Sequence, residues 1–321
     1  MSFISVVIPF FQKEKGILNK ALISVFNQDI SQDIEIVVVD DESPVDPWAD
    51  IPVEIPDNIS IKVVKQSNSG PGAARNTGLD SILATTKFIA FLDSDDEWRP
   101  AHLRNAIAAL GENSDFYFSN HLEPDLAIDE FSRRGLLKIS EHSRLDRGED
   151  CYIFGRDMRD QIIRANIIET STVVYRLSTL KNIRFLPEYR NAFEDHLFWL
   201  DAVTASREVV FSSRVECQYG RGVSIWRSVG LGSEYSFLQF VDQLKFIRLV
   251  EAKYLRTPTQ AEALSKKRNE VRRSIVAELL HRVRRQMPVD WRLLGNILWH
   301  DPIMLVHGPR LVVSIALKRL A

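Results

Sequence analysis

Three carboxylates fall within four residues where Asp93-Ser94-Asp95-Asp96 follows the apolar run Phe88–Leu92. Like charges at that spacing repel one another unless a cation lies between them. Carboxylate oxygens suit hard Mg²⁺ or Mn²⁺, ions that commonly take further oxygens from a substrate phosphate. The same acids would also suit the first turn of a helix, where they complement its dipole. A second acidic run, Asp40-Asp41-Glu42, closes another apolar stretch and favours the ligand-binding reading. Glu194-Asp195 opens the apolar segment His196-Leu197-Phe198-Trp199. Such a pair either caps a helix or, facing a pocket, supplies a general base. Between these acids lies Asn68-Ser69-Gly70-Pro71-Gly72-Ala73-Ala74-Arg75-Asn76-Thr77-Gly78. A dinucleotide fingerprint would need glycine where Arg75 stands, so the run reads as a tight turn opening a helix. Arg75, one turn in, can face an anionic ligand.

The elements that must position these groups alternate. Ser2–Pro9, Ile34–Val39, Ile61–Val64 and Phe88–Leu92 are short, β-branched or aromatic runs that read as buried strands. Leu18–Phe26 and Ala73–Leu83 carry helical spacing. Alternation predicts an α/β fold with a mostly parallel sheet flanked by helices, and ligands bind beyond the carboxyl ends of such strands. Those ends carry Pro9, Asp40, Asp41 and Asp93. Residues 122–169, charged and weakly periodic, read as loops and short helices. Beyond residue 230 the pattern is helical, through Phe237–Tyr254 and Gln260–Gln286. The expected division is therefore 1–230 for a catalytic domain and 231–321 for a helical, basic extension.

The 321 residues include 41 Lys and Arg against 43 Asp and Glu, a net charge of −2. That sum hides an asymmetry: residues 266–321 hold 12 Lys/Arg and 4 Asp/Glu, a net of +8, so residues 1–265 carry −10. The composition is that of a globular chain and excludes a disordered, fibrous or wholly basic nucleic-acid-binding protein. Two cysteines, Cys151 and Cys217, make no disulfide framework, which points to a reducing compartment. Met1–Phe11 lacks a basic leader and reaches Pro9 too soon for a signal peptide. The apolar run Ile303–Leu317 is broken by His307, Gly308, Pro309 and Arg310 and is too short to span a membrane. In the extension, Val271, Ile275, Leu279 and Val283 form an apolar stripe among Lys266, Lys267, Arg268, Arg272, Arg273, Arg282, Arg284 and Arg285. This is either a helix packed on a core with a solvated basic face or an amphipathic segment drawn to anionic lipid.

Taken in order, SVVIPFFQ, VVVDDESP, GPGAARNTG, FLDSDDEW and AFEDHLFW resemble the family 2 inverting glycosyltransferases with the GT-A fold. The opening segments look similar to bacterial exopolysaccharide glucosyltransferases of the succinoglycan type. The resemblance implies roles. Pro9 and Phe10 would border the nucleoside, Asp41 would bond the uracil, and Asp40 would be structural. Arg75 would reach the base or diphosphate. Asp93 and Asp95 would serve the donor and a Mn²⁺ or Mg²⁺ ion, with Asp96 sharing the task. Asp195 would be the catalytic base, with Glu194 beside it on the acceptor side. Many relatives carry Arg-x-His-x-x-Ser where this chain has Tyr219-Gly220-Arg221-Gly222-Val223-Ser224. Arg221, at the histidine's place, can bind phosphate but cannot ligate a metal. The Gln-x-x-Arg-Trp signature of processive synthases is missing, and Ile225-Trp226-Arg227 does not replace it. The implied partners are a UDP-sugar (UDP-glucose in the succinoglycan-type relatives) and a lipid-linked oligosaccharide, met at the cytoplasmic face of a membrane. Two rivals remain. One is a haloacid dehalogenase-type phosphohydrolase, whose strand-end Asp-x-Asp is normally followed by Thr or Val rather than Asp96-Glu97. The other is a non-catalytic assembly subunit.

Overall fold

A computed structural model describes residues 3–190, 192–221 and 230–306. The chain divides into two compact units, residues 1–190 with 194–223 and residues 191–193 with 224–321.

The first unit begins with β1 (Ile4–Phe10), α1 (Ile17–Phe26), β2 (Ile34–Asp40), β3 (Ile59–Lys65), α2 (Pro71–Ser81) and β4 (Phe88–Phe91). Then come β5 (Glu97–Trp98), α3 (His102–Leu110), β6 (Phe116–Leu122), α4 (Glu130–Arg134), β7 (Ser143–Arg144) and β8 (Cys151–Ile153). It closes with α5 (Met158–Arg164), β9 (Val174–Arg176), α6 (Leu177–Leu180), α7 (Glu194–Ala205) and β10 (Val209–Gln218). The strands form one sheet in the order β3-β2-β1-β4-β9-β6-β10-β8-β7, with β5 on β10. Neighbours run parallel from β3 to β4 and between β6 and β10. β9 is antiparallel to both β4 and β6.

β2 is buried along its whole length and β1 at all but one position, as strands covered on both faces must be. Pairing of β1 with β4 ends at Val7–Phe91, two residues before Pro9. Beyond that point β1 continues beside β2 alone as far as Phe10–Asp40, and the turn bearing Asp93 follows β4. α2 packs closely on β1: a Cβ on Gly78 would lie 2.3 Å from Val7 Cγ1. The stretch 122–169, expected as loops and short helices, also supplies β7 and β8, which extend the sheet on the outer side of β10.

The second unit contains α8 (Ser236–Lys253), α9 (Pro258–Arg285) and α10 (Trp291–His300). Thr257 and Gln260 form a capping box at the start of α9, with Pro258 in the first turn. Of the expected apolar stripe, Val271 and Ile275 are buried, while Val283 is exposed. Half of the expected basic face is committed inside this unit. Arg272 binds Asp301 through two bonds of 2.6 and 2.7 Å. Arg282 binds Glu278 at 2.6 Å, Arg268 binds Glu251, and Lys267 lies over the stacked rings of Phe193 and Phe246. Gly222–Ser224, Ile225-Trp226-Arg227, Asn191 and the apolar run beyond Val306 lie outside the described residues. No helix among the described residues is long and apolar enough to cross a membrane.

Candidate active site

The turn after β4 is built around its most buried acid. Asp96 is 4% exposed; its Oδ2 accepts from the Ser171 hydroxyl (2.5 Å) and its Oδ1 from Gly220 N–H (2.9 Å). Ser171 Oγ in turn accepts from Asp93 N–H at 3.0 Å, and Ser171 O accepts from the Trp98 indole. Gly220 lies so close to the Asp95 backbone that a Cβ there would overlap it. Burial, then the charges of Asp93 and Asp95, push the Asp96 carboxyl well above the usual carboxylate range. Burial accounts for the largest share of that shift, and the rest reflects negative charge gathered at the turn, which a cation would relieve. The all-oxygen donor set of Asp93 and Asp95 fits Mg²⁺ or Mn²⁺. Bonded through both oxygens to Ser171 and Gly220, Asp96 anchors the turn on which Asp93 and Asp95 stand.

Arg75 joins this turn to α7. Its guanidinium, 3% exposed, bonds Asp93 Oδ1 at 2.7 Å and Glu194 Oε1 at 3.3 Å, and lies over the Phe185 ring. Burial opposes its charge, but Asp93, Glu194 and Asp195 outweigh burial and raise its pKa further. Glu194 and Asp195 are driven apart in acidity. Burial and the adjacent Asp195 push Glu194 up to about 8, against the pull of Arg75. Burial would raise Asp195 too, but His196 overrides it with a ring nitrogen 2.8 Å away and a backbone N–H at 2.7 Å. Asp195 is therefore held ionised at neutral pH while Glu194 retains a proton.

The remaining expected residues are distributed around the carboxyl edge of the sheet. Phe10 is fully buried, and its carbonyl accepts from Asp41 N–H at 3.0 Å. Pro9 pairs with Val39 of β2. Asp41 is buried and holds the turn before α2: Oδ1 accepts from the Gln66 amide and Ser69 N–H (both 2.7 Å), Oδ2 from Gly70 N–H (2.9 Å). Asp40 accepts from Ser43 N–H and is structural in its contacts. Arg221 is exposed and paired with Asp125, so its side chain is not joined to the carboxylates at the turn.

Several supporting residues are invisible to motif reading. Ser171, Gly220 and Glu169 are polar or small residues whose importance arises from distant partners. Tyr219 donates to Glu169, and burial pushes Glu169 up to about 8, with Asp195 and Glu130 adding to the rise. His121 stacks on Tyr219, its ring centroid 4.6 Å away, and burial lowers its pKa to about 4.

A mostly parallel sheet that gathers metal-suited acids, a buried arginine and an ionised aspartate at its carboxyl edge has the layout of a GT-A glycosyltransferase. Residues 5–170 match the model for glycosyl transferase family 2, and the chain belongs to that family. It is 32% identical over 319 residues to the succinoglycan biosynthesis protein ExoW of Rhizobium meliloti, spanning 98% of this chain and 99% of that protein. It is also 32% identical over 194 residues to the Campylobacter jejuni GalNAc(5)-diNAcBac-PP-undecaprenol beta-1,3-glucosyltransferase, covering 59% of this chain and 56% of the relative. Among solved structures, residues 1–349 of S. aureus TarS in complex with UDP-GlcNAc match with a TM-score of 0.59 at 18% identity, over 97% of this chain and 88% of that one. The Pyrobaculum calidifontis mannosyltransferase PcManGT, in complex with GDP-Man and Mn²⁺, matches at 0.55 and 14% identity, over 99% and 86%. These structural likenesses show the shared fold.

Proposed function

We propose that this glycosyltransferase is a metal-dependent, inverting, non-processive hexosyltransferase that moves glucose from UDP-glucose to a lipid-linked oligosaccharide in exopolysaccharide synthesis. The observation that carries the reading is the Arg75 bridge. One buried guanidinium ties the acidic turn to the helix whose next residue is the ionised Asp195. In a single displacement, Asp195 would take the proton of the acceptor hydroxyl as that oxygen attacks the anomeric carbon. Its low pKa keeps it available as a base, and the protonated Glu194 beside it avoids a second charge on the acceptor side. Arg75 would share its charge with the leaving diphosphate, and Asp41 and Phe10 would border the nucleoside. Asp93 and Asp95 would hold a divalent cation, which supplies further positive charge against the leaving group. Arg221, once released from Asp125, could reach phosphate as a guanidinium but not serve as a metal ligand.

The UDP donor is supported by likeness of fold to TarS, whose complex contains UDP-GlcNAc, and the lipid carrier by the undecaprenol named for the Campylobacter relative. Attachment to the cytoplasmic membrane surface is supported by the second unit. Trp291 and Trp299 are 75% and 77% exposed, Ile303, Leu305 and Val306 are exposed, and Lys266, Arg273, Arg284, Arg285 and Arg292 remain solvated. Indole rings and cations together suit an anionic interface.

A thermal-shift and UDP-release screen of nucleotide sugars with Mn²⁺ tests the donor. UDP-glucose should raise the melting temperature and release UDP, and removing the metal should abolish both effects. Response only to guanosine or thymidine donors would contradict the assignment.

A further inference from the structure

Twenty-five residues or more in sequence from the acidic turn, a second group of metal-suited side chains converges at the end of β6. His121, Glu123 and Glu130 each offer one ligand atom, and these atoms all lie within 4.8 Å of one another. His121 is 1% exposed, and among the described residues neither of its ring nitrogens has a hydrogen-bond partner. A buried imidazole with two unpaired nitrogens is costly unless a ligand completes it. Glu130 is also buried, whereas Glu123 is partly exposed, so the group is reached from the Glu123 side. We propose that His121, Glu123 and Glu130 form a second divalent-cation site, selective for Zn²⁺ over Mg²⁺ and separate from the cation held by Asp93 and Asp95.

The chemistry of the donor set gives the selectivity. One imidazole nitrogen with two carboxylates suits Zn²⁺, and three protein ligands leave a position for water. Mg²⁺ prefers oxygen ligands in near-ideal octahedral geometry and gains little from imidazole. The charges facing the group include Arg133, which bonds both Glu123 and Glu130, and Arg134, which bonds Glu130. The Arg133 side chain is 41% exposed and can turn to water as the ion takes its place. Asp129, at the N-terminus of α4, adds negative charge beside His121. The site has a structural consequence. His121 stacks on Tyr219, and the next residue, Gly220, donates to Asp96. An ion fixing His121 to the start of α4 would brace the backbone that holds the acidic turn.

Isothermal titration of the full chain with Zn²⁺ in excess Mg²⁺, after chelator treatment, tests the site. Co²⁺ replacement supplies a visible spectrum sensitive to nitrogen ligation. The wild type and Asp95→Asn should each bind one equivalent of Zn²⁺ with equal affinity. His121→Ala and Glu123→Gln should each lose at least about tenfold in affinity, the lower end of what even indirect supports of a metal site contribute. Glu123 is partly exposed, so its glutamine variant reports on the site even if His121→Ala misfolds. Absence of a Zn²⁺ equivalent would overturn the proposal, as would binding lost in Asp95→Asn or unchanged in Glu123→Gln. None of these readouts depends on transfer of a sugar.

Discussion

Arg75 has no water to screen its charge and two carboxylates to satisfy. Losing it would leave the largely buried Glu194 and the partly exposed Asp93 without their shared cation. Breaking a fully buried ion pair costs about 3–5 kcal/mol, and the exposure of Asp93 with the proton on Glu194 puts this bridge below that range at neutral pH. Arg75→Met should therefore lower the unfolding free energy by about 1–3 kcal/mol, with the larger effect above neutral pH, where Glu194 gives up its proton. A change within experimental error would mean that the bridge is incidental. Lysine is no substitute, because a single ammonium lacks the planar fork that reaches two acids from one position. The same reasoning explains why Asp96 differs from its neighbours. The run Asp93-Ser94-Asp95-Asp96 presents three equal candidates, and only the distant Ser171 and Gly220 distinguish the anchor from the two acids it supports.

Elements whose burial follows from a continuous apolar run were readable in advance, and those that depend on distant polar partners were not. β1, β2 and β4 are nearly uninterrupted hydrophobic strands. β6 instead contains Ser119, Asn120 and His121, and β10 contains Arg214 and Glu216 and is irregular between Ser212 and Cys217. Glu216 is tolerated inside because Tyr117, Asn105 and His102 converge on its carboxylate, a fact that no local pattern conveys. Glu169, just before Ser171, belongs to this second kind. Its carboxyl titrates at about 8 when folded, against a usual value of 4.5. The native state therefore holds an extra proton between those values, and stability falls as pH rises through that window. Glu169→Gln should remove this contribution, making urea stability less steep from pH 5 to 8 by up to about 1.4 kcal/mol per pH unit. Identical slopes in the two proteins would show that Glu169 is ionised throughout.

At the scale of the whole molecule, the near-zero charge is a cancellation between an acidic portion and a basic extension. The basic total overstates what is available to a partner, since Lys267, Arg268, Arg272 and Arg282 are occupied within the helical unit. That division could not be read from spacing, because α9 presents cations around its circumference and its neighbours decide which are buried. Binding to vesicles should depend on the solvated subset. Arg284→Glu with Arg285→Glu, or Trp291→Ser with Trp299→Ser, should reduce co-sedimentation with anionic vesicles several-fold while leaving circular dichroism unchanged. Equal sedimentation of wild type and variants would remove the membrane-docking role. The charge-reversal pair should also show the steeper loss at low salt, where lipid attraction is least screened.

The central claim is that Asp195 removes the acceptor proton at a donor site built by the acidic turn. Asp195→Asn keeps the side chain's size and can still bond His196, so the fold and the nucleotide contacts should persist. Steady-state UDP release and UDP binding by calorimetry, measured on the same preparation, test the claim most directly. Turnover should fall by roughly 10²- to 10⁴-fold with UDP affinity unchanged. Turnover within a few-fold of wild type would contradict the account and place the acceptor's base elsewhere, whereas a wild type that binds UDP without turnover would return the chain to the class of transferase-like assembly subunits.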